Sequence, residues 1–317
     1  MQNSIAKLTL VVFILIQGCA SSSSTQYAQV TYVENLQQIL AMSDNKNKKK
    51  KITKGPSKIR EAALKETALS LGAQAGLASR AKTIDDQLVR HTRLLDHIYD
   101  FNALVLEHNV LPPVLLEGRN TLNLADLQSI RISNRTFRVY KQAHFITTAP
   151  NWRQYLWMDY QSPELPHPSL LPTNKSEKVI WQHYAAKGWE QGMEQGNIIL
   201  EESIARLKQD FNGMILYRKL LAMNMVSPPF VSNTDLGVTG DGEEIHIDDR
   251  VLRITALPAL NTNANEWHAA VEKDEEALSK FRKLEQKVNA AKITISSNTW
   301  QPINSSVKVY DPLNPNS

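Results

Sequence analysis

The chain has 317 residues, of which 42% are hydrophobic and 21% are charged, as is ordinary for a globular protein. Its formal net charge of +4 is small and is concentrated in one lysine-rich segment, so it does not predict direct nucleic-acid binding. Cys19 is the only cysteine, which excludes intramolecular disulfides and zinc sites built on cysteine ligands.

The first 20 residues have the pattern of a bacterial lipoprotein signal. Lys7 precedes a largely apolar segment, residues 8–16, that is shorter than the about 20 residues of a membrane-spanning helix. An Ile-Gln-Gly-Cys lipobox follows and predicts cleavage between Gly18 and Cys19. The Cys19 thiolate would then take a diacylglyceryl group, and its freed amine a further acyl chain. An ordinary signal peptide with a chance cysteine is the alternative.

Composition divides the chain into four parts. A signal peptide at 1–18 precedes a flexible, lysine-rich, lipid-anchored tether at 19–55, a single globular domain at 56–303 and a disordered tail at 304–317. The lysines either keep the tether solvated or attract it to anionic headgroups or a partner. Ala20 stands where an aspartate would favour retention in the inner membrane, so we expect the periplasmic side of the outer membrane.

Two long helical patterns dominate the domain, at 57–109 and 175–225, and the first is expected to bend near Asp85. Both carry small residues at intervals of about four. Glycine costs up to about 1 kcal/mol relative to alanine inside a helix, so these stripes predict a close helix-packing face. A contact between subunits is the alternative for the second stripe. The glycines are Gly72, Gly76, Gly188, Gly192 and Gly196.

The segment between the helices has alternating patterns typical of strands. Residues 114–116 predict a strand that ends in a turn at 117–120. Residues 129–133 and 135–140 alternate on either side of Asn134, which predicts a hairpin.

A tight turn is predicted at 239–242, and a second hairpin is predicted from 244–247 and 250–255, with its turn at 248–249. A charged amphipathic helix at 264–292 follows, with Trp267 among its inward-facing residues. The expected fold class is therefore α+β, mostly helical, with long helices packed on a small antiparallel sheet built from hairpins.

The densest polar cluster surrounds the second hairpin. It could supply acid–base groups or metal ligands, and it motivates an alternative function, a cell-wall hydrolase tethered to the outer membrane. However, alternate residues of a strand point to opposite faces, and the spacing of a calcium loop is absent. We therefore expect an exposed turn. The cluster consists of Asp241, Glu243, Glu244, His246, Asp248 and Asp249.

Other catalytic patterns are absent from the sequence. His91, His97 and His108 lack the spacing of a helical zinc pair, and there is no phosphate loop, dinucleotide fingerprint or nucleophile elbow. We expect no enzyme, no metal and no cofactor apart from the covalent lipid on Cys19.

Long stretches of the chain resemble one family. They include ETALSLGAQAGLA at 66–78, the segment 98–118 with its LPPVLLEG ending, parts of 142–157, and 213–260 with NMVSPP and TDLGVTGDG. These resemble DotC, the outer-membrane lipoprotein family of Dot/Icm-type (type IVB) secretion systems, over about residues 57–303.

The resemblance implies a structural role and not catalysis. DotC-like proteins act with a second lipoprotein, DotD, to recruit DotH to the outer membrane. Together they build a multimeric core complex through which effector proteins or conjugative substrates pass. The expected partners are therefore the outer membrane, a DotD-like lipoprotein and a DotH-like subunit.

Overall fold

The computed structural model describes residues 35–43, 57–124, 128–268 and 272–291. It has the α+β fold that the sequence predicts. The helices are α1 (Leu36–Ala41), α2 (Lys58–Arg90), α3 (Thr92–Ile98), α4 (Arg153–Leu156), α5 (Lys175–Ala222) and α6 (Glu272–Ala290). The strands are β1 (Val110–Leu111), β2 (Val114–Leu124), β3 (Ile130–Lys141), β4 (His144–Phe145), β5 (Phe230–Gly240) and β6 (Ile245–Ala256). Within these ranges, no helix combines the length and the hydropathy needed to span a bilayer.

The helices α2 and α5 lie side by side and run in the same direction. Arg60 binds Glu177 near the start of both helices, and Arg80 Nε donates to Asn197 Oδ1 at 2.7 Å farther along. Both pairs are separated by 117 residues in sequence, so the register stays constant over about five turns. A parallel pair needs a long connection, which residues 91–174 supply.

The long helices begin at side-chain caps. Ser57 Oγ accepts from the backbone N–H of Arg60 at 3.3 Å, and Asn174 Oδ1 accepts from that of Glu177 at 2.8 Å. The buried Glu177 carboxylate accepts from the backbone N–H of Thr173 at 2.9 Å and from Arg60 Nη2 at 3.3 Å. It therefore links the start of α5 to α2.

Glu177→Gln is expected to make unfolding less sensitive to acid. Burial alone would raise the pKa of Glu177, but hydrogen bonds from Thr173 and Arg60 outweigh it and lower the pKa. The resulting stabilisation is present above the unfolded value of about 4.3 and is lost as pH falls through the folded pKa. Urea unfolding between neutral and acidic pH measures it, with the exposed Glu66→Gln as control. Equal acid sensitivity in wild type and Glu177→Gln would contradict the prediction.

The main core lies where the second half of α5 meets the connection. Phe101 packs edge to face on Phe211 with ring centroids 5.0 Å apart and stacks on Tyr155 at 6.0 Å. Residues of α3, α4 and α6 complete the cluster, including Leu95, Ile98, Leu156, Phe281, Leu284 and Val288. A second cluster holds α1 against the first half of α5, where Trp181 Nε1 donates to the carbonyl of Ile39 at 2.8 Å.

A buried carboxylate lies at the edge of the main core. Asp210, only 3% exposed, accepts from Lys141 Nζ at 2.6 Å and from Tyr155 Oη at 2.9 Å. These residues belong to α5, β3 and α4, so one carboxylate joins three elements. Burial, together with the Asp210 charge, raises the pKa of Tyr155.

The strands form three separate two-stranded antiparallel sheets in the described ranges, where the sequence predicted one small sheet. β1 pairs with β4. β2 and β3 form a hairpin, residues 114–141, called the basic hairpin because it carries five basic and two acidic residues. β5 and β6 form the acidic hairpin, residues 230–256, with six acidic and two basic residues.

The prediction of a hairpin turn at Asn134 is wrong. The strand β3 continues through this residue, and β2 likewise continues through 117–120, where a turn was predicted. Asn120 adopts a φ of 49° within β2, which asparagine tolerates better than most residues. The long pairing of β2 with β3 gives both strands a continuous hydrogen-bond ladder, which two five-residue strands around Asn134 would not supply.

The turn predicted at Asp248 is also wrong. β6 is one strand in which Asp248, with φ of 58°, lies at a bulge, and its partner strand is β5. The turn of this hairpin lies at residues 241–244, where it overlaps the tight turn predicted at 239–242. There Asp241 Oδ1 accepts from the backbone N–H of Glu243 at 2.8 Å and of Glu244 at 3.0 Å.

Helix ends differ from the predicted ones. α2 continues without interruption past Asp85 and ends at Arg90, and regular helix stops at Ile98, well short of 109. His108 has a φ of 60°, which no right-handed helix accepts. α5 ends at Ala222, three residues early, because Asn224 has a positive φ.

The predicted last helix starts late. Residues 264–266 form a separate 3-10 turn and α6 begins at Glu272. Trp267, predicted to face inward, is exposed, and its Nε1 donates to the carbonyl of Asn261 at 3.0 Å.

Candidate interaction surfaces

The predicted lipid site, Gly18 and Cys19, lies outside the described residues. The described chain begins at Asn35, sixteen positions after Cys19. Sixteen extended residues span at most about 55 Å, so an anchor at Cys19 would keep α1 within that distance of a membrane.

Four of the predicted packing glycines lie at the contact between α2 and α5. A Cβ built on any of them would lie closer than 3.0 Å to a carbonyl oxygen of the other helix, a distance that Cβ atoms essentially never show. Gly72 and Gly76 face the carbonyls of Ala185 and Trp189, and Gly188 and Gly192 face those of Leu69 and Ala73. Glycine therefore allows the two backbones to touch within one chain.

Gly196 makes room for a buried basic side chain. A Cβ there would lie 2.8 Å from Cγ of Arg80, whose Nε donates to Asn197. Arg80 is buried against α5, and burial lowers its pKa. Near the end of the glycine stripe, backbone contact between α2 and α5 therefore gives way to a hydrogen bond between side chains.

Gly213 is a packing residue that the sequence patterns did not single out. A Cβ at Gly213 would meet Val114 and the backbone of Leu115, so its absence lets the base of β2 dock on α5. Leu115 then packs with Tyr217 and Leu220 of α5. The available signal was a lone glycine inside an otherwise helical pattern.

The carboxylates predicted as a candidate catalytic cluster have structural contacts at the end of the acidic hairpin. Asp241 closes the turn, and the hydrogen bonds from Glu243 and Glu244 lower its pKa. Asp249 accepts from Thr239 Oγ1 at 2.5 Å across the strands, and Glu244 lies 3.8 Å from His246 Nε2. No group of three or more potential metal-binding side chains occurs among the described residues.

The three histidines of the first helical tract do not come together as one site. His91 lies at the junction of α2 and α3, His97 Nε2 is 2.8 Å from Lys287 Nζ, and His108 occupies a left-handed turn.

Both long hairpins expose apolar side chains near their tips. On the basic hairpin the pairs Leu122–Ile132 and Leu124–Ile130 share one face, and their exposures are between 59% and 69%. On the acidic hairpin, Val238 pairs with Ile247, and Ile245 follows on the same face; these three are between 67% and 75% exposed. We call these sets the apolar faces of the two hairpins.

Exposed apolar clusters of this kind mark interaction sites more often than isolated apolar residues do. The apolar face of the basic hairpin lies opposite the strand face that Leu115 and Val139 present to the core beside α5. The sequence contained its signal, because apolar residues alternate with polar ones at 122–124 and 130–132. The turns predicted at 117–120 and 134 divide these strands into short pieces, so the sequence did not predict this face.

The chain matches the model of a known protein family. The model of the TraI family, described as type IV secretory system, conjugal DNA-protein transfer, matches residues 58–269. The matched region contains the α2–α5 pair and both hairpins. No curated protein matches the chain.

Proposed function

Since the chain belongs to the TraI family of type IV secretory systems, we propose that it is a lipid-anchored structural subunit of a type IVB core complex at the outer membrane. In this function it helps to recruit and assemble a DotD-like lipoprotein and a DotH-like subunit, for export of effector proteins or conjugative DNA. The family match over 58–269 is the observation that supports the proposal most directly.

The architecture agrees with a scaffold. The α2–α5 pair is held by backbone contact over several turns, which favours a stiff frame. The two hairpins extend exposed apolar faces from that frame, where other subunits can reach them. The predicted anchor at Cys19 would fix one end of the frame to the membrane through acyl chains.

Co-purification tests the proposed function. The tagged full chain is isolated from detergent-solubilised outer membranes of cells that carry the neighbouring secretion genes. Recovery of DotD-like and DotH-like subunits in stable proportion is expected. A chain recovered without either subunit, from membranes that contain both, would overturn the proposal.

Cys19→Ser is expected to abolish lipid attachment and to remove the protein from the outer membrane. Serine lacks the nucleophilic thiolate to which the diacylglyceryl group is transferred. Labelling with a radioactive fatty acid and membrane fractionation measure the two effects. The double variant Cys19→Ser with Ser24→Cys is the control, because it restores a thiol outside the lipobox and should not restore labelling. Undiminished labelling of Cys19→Ser would rule out this anchor.

A further inference from the structure

The two hairpins have opposite charge and similar apolar faces. The basic hairpin has an excess of three positive charges over residues 114–141, and the acidic hairpin has an excess of four negative charges over 230–256. Near the tips, Arg131 on one hairpin and Glu244 on the other are exposed. Each hairpin thus carries charge of the sign that the other would attract.

Among the described residues, nothing covers the apolar face of either hairpin. All seven side chains of the two apolar faces are more than half exposed. A two-stranded sheet alone is only marginally stable in water, and it gains stability when one of its faces is packed on another element. Sheets pack face to face at about 10 Å with their side chains interdigitated.

We propose that the apolar face of the basic hairpin packs on the apolar face of the acidic hairpin of a second copy of this chain. Leu122, Ile132 and their neighbours would meet Val238, Ile245 and Ile247, with the charges of opposite sign around them. Packing of two basic hairpins, or of two acidic ones, would bring like charges together and is disfavoured.

A contact between two different surfaces is heterologous. Every copy carries one hairpin of each kind, so two copies joined by one such contact leave one hairpin of each kind free, and the contact repeats as a ring or a chain. This inference deepens the proposed function by naming a neighbour of the subunit in the complex, and it depends on that function only for the place of assembly.

Two variants test the pairing in the full chain, purified in mild detergent. Leu122→Ser with Ile132→Ser removes one apolar face, and Ile245→Ser with Ile247→Ser removes the other. Mass photometry of wild type should show species larger than a dimer, and each variant should weaken association by at least about tenfold. Ile59→Ser with Val179→Ser is the control, because both side chains are exposed outside the hairpins. Circular dichroism checks that every variant folds.

Mixing the two hairpin variants gives the most specific result. Each retains the face that the other has lost, so an equal mixture should form one-to-one dimers and nothing larger. Arg131→Glu and Glu244→Arg, each in a separate chain, provide a second test that leaves the apolar faces intact. Each variant is expected to associate more weakly than wild type. Rising ionic strength should also weaken the association of wild type, because salt screens the attraction between the two hairpins.

Several results would overturn the pairing. They are a wild type that is monomeric at all concentrations, association that both hairpin variants preserve, or a mixture of variants that stays monomeric. Binding of wild type to anionic vesicles through the hairpins, without self-association, would assign these faces to a membrane instead. A monomeric chain that still recovers its DotD-like and DotH-like partners would overturn this inference alone.

Discussion

Gly192→Ala is expected to destabilise the protein by about 3 kcal/mol or more, although it adds only one methyl group. The new Cβ would collide with the carbonyl oxygen of Ala73 and crowd the backbone nitrogen of Leu77 at 2.7 Å. Neither atom can move as a side-chain tip does, so the two helices must separate along their contact. Alanine has a higher intrinsic helix propensity than glycine, so a loss of stability would come from the collision and not from the helix itself. Chemical denaturation of wild type and variant measures the difference.

Gly242→Ala is the matched control for that variant. A Cβ at Gly242 would have nothing within 4 Å, and its φ lies outside the left-handed region. It should change the unfolding free energy by less than about 0.5 kcal/mol. Gly192→Leu should be at least as damaging as Gly192→Ala. A Gly192→Ala protein with wild-type stability would mean that α2 and α5 are not in backbone contact at this position.

Asp210→Ala is expected to cost about 2–3 kcal/mol of unfolding free energy. It leaves the hydroxyl of the partly buried Tyr155 without its acceptor, and it removes the ion pair with Lys141. The ion pair contributes the smaller share, because the Lys141 side chain is half exposed and solvent screens it. Thermal or chemical unfolding measures the loss.

A double-mutant cycle separates the two contacts of Asp210. Tyr155→Phe removes the hydroxyl without leaving a cavity, so Asp210→Ala should cost less in its presence than in wild type. Lys141→Gln should be milder than either single variant. Strict additivity of Asp210→Ala and Tyr155→Phe would show that the 2.9 Å hydrogen bond between them has no stabilising role.

The sequence predicted the frame of the molecule better than its strands. Long helical periodicity and small residues four apart are local signals, and both were visible around Gly72 and Gly192. The partner of a strand is not a local property, so the alternation around Asn134 fitted two short strands or one long strand equally well. Only the pairing of β2 with β3 at ten positions shows that the second of these alternatives, one long strand, is formed.

The same limit applies to Asp248 and Trp267. Asp248 has the residue type of a turn, but a bulge also accommodates its positive φ, and the difference lies in the partner strand. Trp267 fitted an amphipathic pattern, yet the helix that would have turned it inward begins only at Glu272. The relation to type IV secretion, in contrast, followed from long stretches of sequence and is confirmed by the family model, whereas the resemblance to DotC stays a prediction.

The constant separation of 117 residues between α2 and α5 sets the order in which the chain can fold. Contacts so distant in sequence form slowly, because a long loop must close before they contribute. At about 5–20 residues per second, α2 would wait on the order of 6–25 s for its partner to be synthesised. During that time its glycine-rich face is without the carbonyls that cover it in the native state. A chain that emerges with its N-terminus first, from the ribosome or across the inner membrane, therefore exposes this face until α5 follows, and the frame closes only after most of the domain has emerged.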